Sequence, residues 1–188
     1  MKKIIISFLF IFACTHANAQ FIKEKAINAT IGLGLSAPYD EDAEDVRATG
    51  FYFQGEYVMG ITSWLDIRPY AGAVFAKTNT DDKEPNEPEY RSDTNAFLIG
   101  AKVRIKAPIP WVAPFIELGY GASIGSFRTL TPNDNIDKSG VIGHVPFSIG
   151  LELGPKHNVD LAFTYYYQNS VRQFAGAFAV GLKIPLNN

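Results

Sequence analysis

Between residues 27 and 185 the chain alternates apolar and polar positions with a period of two, the pattern of strands whose two faces meet different surroundings. Eight segments carry it: 27–36, 49–59, 64–77, 93–106, 111–124, 141–154, 158–168 and 173–185. Their lengths match or exceed the roughly 9–11 residues that a tilted strand needs to cross a bilayer. Short connections at 60–63, 107–110 and 155–158 alternate with longer ones at 37–48, 78–92 and 125–140, and a brief last one lies at 169–172. Short turns at one end and longer loops at the other predict an all-β fold, an eight-stranded antiparallel up-and-down transmembrane β-barrel.

One face of this pattern is apolar without interruption, as in Ile27, Ala29, Ile31, Leu33 and Leu35, or Phe97, Ile99, Ala101, Val103 and Ile105. The other is rich in Gly, Ala and Ser and carries few charges, which suits a crowded interior better than a solvated exterior. The apolar face is therefore expected outside, against lipid. Tyr52, Trp64, Trp111, Tyr166 and Tyr167 cluster near strand ends and are expected to form interfacial aromatic girdles. Trp64 and Trp111 have inward parity, so they belong to the turns or mark small register changes. Pro69, Pro114 and Pro146 fall inside strands, where each removes a ladder donor and implies a local bulge or a late strand start.

The inward set holds the acids Glu56, Asp66, Glu117, Glu152 and Asp160 and the bases Arg68, Lys102, Arg104 and Lys183. Eight strands enclose a lumen just wide enough for side chains to fill. Charges there are poorly solvated and must pair. A salt-bridge network that plugs the lumen follows, with Glu56–Arg68 and Arg104–Glu117 as pairs suggested by strand adjacency. Two other readings use the same residues: a narrow channel for ions or small solutes, or a soluble periplasmic ligand-binding barrel.

The N-terminus reads as a cleaved export signal: Lys2 and Lys3, an apolar run at 4–13 too short to span a bilayer, and an Ala17-Asn18-Ala19 cleavage site. Residues 1–19 are then the signal peptide and 20–188 the barrel, in the bacterial outer membrane. A competing lipoprotein-type cleavage at Cys14 fits less well, because Phe12 stands where a small residue is wanted. Cleavage after Ala19 removes the chain's one cysteine and two lysines, taking the net charge from −2 to about −4. Neither a basic patch of nucleic-acid type nor a phosphate loop or metal cluster is present, so no cofactor and no nucleic-acid partner are expected. The barrel is expected to be a monomer whose surroundings are outer-membrane lipid.

Acids concentrate in two long connections. Asp40, Glu41, Asp42, Glu44 and Asp45 face Arg47; Asp81, Asp82, Glu84, Glu87 and Glu89 face Lys83 and Arg91. Carboxylates suit divalent cations or a basic surface partner, but no EF-hand-like spacing occurs, and a solvated, self-repelling loop explains the same charges.

The strings RPYAGAVFAKT (68–78), APFIELGYGAS (113–123) and FSIGLELGPKHNVDLAFTYYYQN (147–169) resemble the small outer-membrane β-barrel family that includes OmpX-like and OmpA-type barrels. The resemblance covers nearly all of the mature chain and implies fold and address. Such barrels often end in an aromatic residue, whereas this chain ends Ile184-Pro185-Leu186-Asn187-Asn188. Some similar barrels are lipid-modifying acyl hydrolases or transferases, chemistry that needs a nucleophile beside a base. After signal cleavage only His144 and His157 remain, and Ser148 lies four positions from His144, roughly 13 Å along a strand. No catalysis is expected. His144 is read as a hydrogen-bonded lumen residue, and the surface-exposed loops as the interacting part of an envelope protein.

Overall fold

The computed structural model describes residues 22–40, 46–79 and 90–186. The expected export signal, and the acids Glu41, Asp42, Glu44, Asp45, Asp81 and Asp82, lie outside these residues. The strands are β1 Glu24–Pro38, β2 Ala48–Gly60, β3 Leu65–Thr78, β4 Arg91–Lys106, β5 Trp111–Leu130, β6 Asn135–Gly154, β7 Val159–Gln168 and β8 Gln173–Pro185. A 3₁₀ turn at Asn169–Val171 joins β7 to β8. All neighbours are antiparallel and β8 pairs with β1, so the sheet closes on itself in chain order. Closure removes the free edges that an open sheet would leave unpaired.

The two-residue period sorts the side chains. Ile31, Leu33, Phe51, Phe97, Ile99, Leu118, Phe178 and Leu182 stand exposed on the outside, with Ile31 71% accessible. Asn28, Glu56, Arg68, Lys102, Glu117 and Glu152 are buried within. A soluble barrel has the opposite arrangement; an apolar outside and a polar inside suit a hydrocarbon surrounding. Trp64 lies in the β2–β3 turn, and Trp111 takes a positive φ of 71° as β5 begins. Both are exposed, so each leaves the inward face that its parity suggested.

Two expectations are corrected here. Tyr52 and Tyr166 do not join a girdle: both are buried in the lumen, while Tyr167 between its inward neighbours is exposed. Strand parity decides this, because Tyr52 lies between the exterior residues Phe51 and Phe53. The segment 125–140 is mostly strand rather than loop. Ser126 pairs with Ser139, Arg128 with Asp137 and Leu130 with Asn135, up to a tight turn at 131–134. In that turn Thr131 N donates to Asp134 O at 2.8 Å and Asp134 N donates to the Thr131 hydroxyl at 3.0 Å. β6 thus outreaches β7, whose pairing begins at Val145↔Tyr167, and residues 135–144 pair with β5 alone.

The prolines account for local gaps in the ladder. The β2–β3 register runs to Glu56↔Tyr70 and resumes at Met59↔Ile67, skipping Pro69. The β5–β6 register skips from Leu118↔Phe147 to Gly121↔His144, passing over Pro146. Each proline still pairs on its other side, with Ala101 and Tyr166. A missing N–H costs the ladder only where the donor would have pointed. Pro114 pairs with Leu151 close to the turn end, and its carbonyl accepts from Ala107 N at 2.9 Å.

Candidate functional site

Inward-facing positions from all eight strands converge on the lumen, where they form three layers. Near the short turns lies a charged layer. Arg68 is fully buried, and its guanidinium meets Glu56 at 3.1 Å, Asp66 at 3.0 Å, Glu152 at 3.0 Å and Asp160 at 3.4 Å. Arg104 meets Glu117 at 2.7 Å and both Glu152 and Asp160 at 2.8 Å. Lys102 Nζ lies 2.6 Å from Glu56 and 2.8 Å from Glu117. The Arg104 guanidinium also stacks 3.5 Å from the centroid of the Phe115 ring. All nine charged residues singled out in the sequence stand in this layer. Lys183 is the most peripheral, 3.6 Å from Glu24 and 3.8 Å from Glu152.

Sequence reasoning missed Lys106, whose Nζ reaches Asp66 at 3.1 Å and Glu152 at 3.3 Å. The signal was available: Lys106 shares the parity of Lys102 and Arg104 but lies at the strand end. With it the layer holds Glu56, Asp66, Glu117, Glu152 and Asp160 against Arg68, Lys102, Arg104, Lys106 and Lys183, a balance of charge. Balance matters because an unpaired buried charge is strongly destabilising, whereas paired ones recover much of their lost solvation.

The middle layer is aromatic and neutral. Tyr166 Oη donates to Gln54 Oε1 at 2.6 Å and shares a 2.9 Å hydrogen bond with Tyr52 Oη. Gln54 Nε2 donates to Glu56 Oε1 at 2.7 Å, which ties this layer to the charged one. His144 is held by both nitrogens, Nε2 to Tyr70 Oη at 2.5 Å and Nδ1 to Ser123 Oγ at 2.7 Å. Ser148 instead bonds Thr164 at 3.0 Å. The other histidine, His157, sits in the β6–β7 turn with Nε2 3.0 Å from Ile109 O.

Toward the loop end, Ser36, Ser92, Thr94, Thr129 and Gln173 are buried and mutually bonded, and the Thr129 hydroxyl has two acceptors in reach of its one hydrogen, Gln173 Oε1 at 2.7 Å and Val171 O at 2.8 Å. Phe127 and Val171 close the apolar part of this layer. The β5–β6 turn is fastened to its surroundings. Asn133 donates from N and Nδ2 to the Asp40 carboxylate at 3.3 and 3.0 Å, and Arg172 Nε meets Asp134 at 3.0 Å. Asp40, read from sequence as one of the solvated loop acids, is a buried anchor instead. Tyr39 beside it packs on Tyr167 and Phe174, and burial pushes its phenol well above the ordinary tyrosine pKa. Among the described residues no group of three or more His, Cys, Asp or Glu side chains is placed to hold a metal.

No protein-family model matches the chain, and no curated protein matches it. Solved structures do. Neisserial surface protein A aligns over 86% of this chain and 97% of its own, at 15% identity and a TM-score of 0.59. Ail, the attachment invasion locus protein of Yersinia pestis, aligns over 87% and 99% at 14% identity and a TM-score of 0.48. The outer membrane enzyme PagL aligns over 86% and 99% at 14% identity and a TM-score of 0.45. At these identities the likeness is one of fold: the chain has the closed eight-stranded architecture of small outer-membrane barrels such as Neisserial surface protein A.

Proposed function

We propose that this chain is a non-catalytic integral protein of the bacterial outer membrane, exported by a signal removed after Ala19, with a closed lumen and a structural or surface-interaction role. The observation that carries this reading is the filled cross-section. Charged, tyrosine and hydroxyl layers succeed one another along the lumen, and the cavity between the first two measures only ≈ 10 Å³. An ion would have to part Arg68 and Arg104 from at least three carboxylates each to pass.

Three further points support it. The exposed apolar belt suits lipid and speaks against a soluble periplasmic barrel. Ser123 and His144 are in contact, yet Ser123 Oγ is fully buried and also accepts from Gln168 Nε2 at 2.9 Å, so no substrate reaches it. The outer part of β6, which extends past β7, and the acidic loops are what this reading assigns to a partner beyond the membrane. Exposed β6 residues there present a strand edge, a common template for contact with another chain.

Planar-bilayer conductance of folded protein tests the reading. A closed lumen gives no discrete steps. Reproducible steps whose ion selectivity changes on replacing Arg68 or Arg104 would establish the channel instead.

A further inference from the structure

The charged and middle layers meet at the ≈ 10 Å³ cavity, which is lined by Asn28, Thr30, Gln54, Lys102, Asp160 and Thr164 among others. Two buried acceptors of this lining, Asp160 Oδ1 and Asn28 Oδ1, have no hydrogen-bond partner. Their residues are only 2% and 1% exposed. The other ends of both side chains are engaged. Asp160 Oδ2 takes Arg104 Nη1 at 2.8 Å, Asn28 Nδ2 at 3.3 Å and Arg68 Nη1 at 3.4 Å. Asn28 Nδ2 also faces Glu56 Oε2 and Thr30 Oγ1, each at 3.4 Å. These acceptors fix the amide orientation, because flipping it would turn its oxygen onto two carboxylates.

Asn28 and Asp160 come from β1 and β7, with β8 between them. At this level β8 contributes Gly181, which pairs with both Thr30 and Asp160, and the Asn28 and Thr30 side chains fold over it: a Cβ there would fall 3.0 Å from Asn28 Oδ1 and 2.9 Å from Thr30 Oγ1.

We propose that this junction binds one internal water molecule, donating one hydrogen to Asp160 Oδ1 and the other to Asn28 Oδ1. Two orphan acceptors require a donor or a cation. The surrounding charges already balance, leaving no net negative charge for a monovalent cation to neutralise. The cavity holds about one water-sized sphere, and polar partners at two to four positions are what a buried water needs. The hydroxyls of Thr30 and Thr164, also in the lining, supply donors for the water's own oxygen. The water then bridges Asn28 of β1 and Asp160 of β7, whose strands are separated by β8.

The test is magnetisation transfer from water to the Asn28 side-chain amide protons in isotope-labelled, folded protein in detergent micelles. The expected result is a cross-peak from a long-lived water, identical in sodium, potassium and salt-free buffers. It should disappear in Ala162→Val, whose added methyl groups enter the cavity that Ala162 lines. A missing cross-peak in the native protein overturns the proposal. So does an Asn28 resonance that shifts with the identity of the monovalent cation, which would assign the site to an ion. The native measurement decides even if the valine variant fails to fold.

Discussion

Arg68 of β3 and Glu152 of β6 meet inside the barrel, Nη2 to Oε1, at 3.0 Å. Their strands are not neighbours in the sheet; β4 and β5 lie between them. The contact therefore spans the lumen rather than running along its wall. Arg104 reaches the same Glu152 oxygen at 2.8 Å, so one carboxylate ties two arginines from adjacent strands to the opposite side. In an eight-stranded barrel the lumen is narrow enough for such bridges to run from one wall to the other.

Removing one member of this layer should cost far more than removing a rim pair. Arg104→Met leaves Glu117, Glu152 and Asp160 each short of a partner, and breaking a buried pair typically costs about 3–5 kcal/mol. Arg172→Ala removes a contact whose arginine side chain is 58% exposed, for which about 0–1 kcal/mol is expected. Urea unfolding, followed by the gel shift between folded and unfolded barrel, compares the two. Equal midpoints would mean that the inner charges do not act as a network.

The apolar belt makes a separate demand. Ile31 lies midway along β1 and is the second most exposed of the large exterior side chains after Phe51. Ile31→Arg should destabilise the barrel in a phospholipid bilayer by about 2–4 kcal/mol, the cost of arginine on a lipid-facing strand at mid-depth. If the outside were solvated, the same change would be neutral. Reversible folding into large vesicles measures the difference.

Tyr166→Phe deletes a hydroxyl bonded to both Tyr52 and Gln54 in a fully buried site. Leaving those groups short of a partner should lower stability by about 1–3 kcal/mol. An unchanged midpoint would show that water satisfies them equally well.

Space is as tightly set as polarity. A Cβ on Gly121 would fall against Tyr70 Oη, Ile99 O and His144 Nε2. Gly121→Ala should therefore cost about 1–3 kcal/mol through overpacking. It should also move the His144 ring resonances, which a change confined to the outer wall would leave in place. Unshifted resonances would contradict the contact geometry.

The two-residue period determined the face on which each charged residue lies, because side chains alternate strictly along an extended backbone, and the alternation of short and long connections determined the strand order. Parity would also have placed Lys106 beside Lys102 and Arg104, and Tyr52 between Phe51 and Phe53, had it been followed to the strand ends. Tertiary structure alone decided which inward residues touch. Glu56–Arg68 and Arg104–Glu117 were readable because their strands are adjacent. Arg68–Glu152, Lys106–Glu152 and Arg104–Asp160 were not, since strand tilt and stagger determine which levels face each other across a closed barrel. The 125–140 segment shows the same limit: its turn-rich composition resembles a loop, yet pairing with a long neighbour extends both strands. Asp40 is an anchor because the distant Asn133 donates to it, a contact that no local pattern announces. Local alternation is a property of the backbone, whereas contacts across the lumen depend on the radius and shear of the whole sheet.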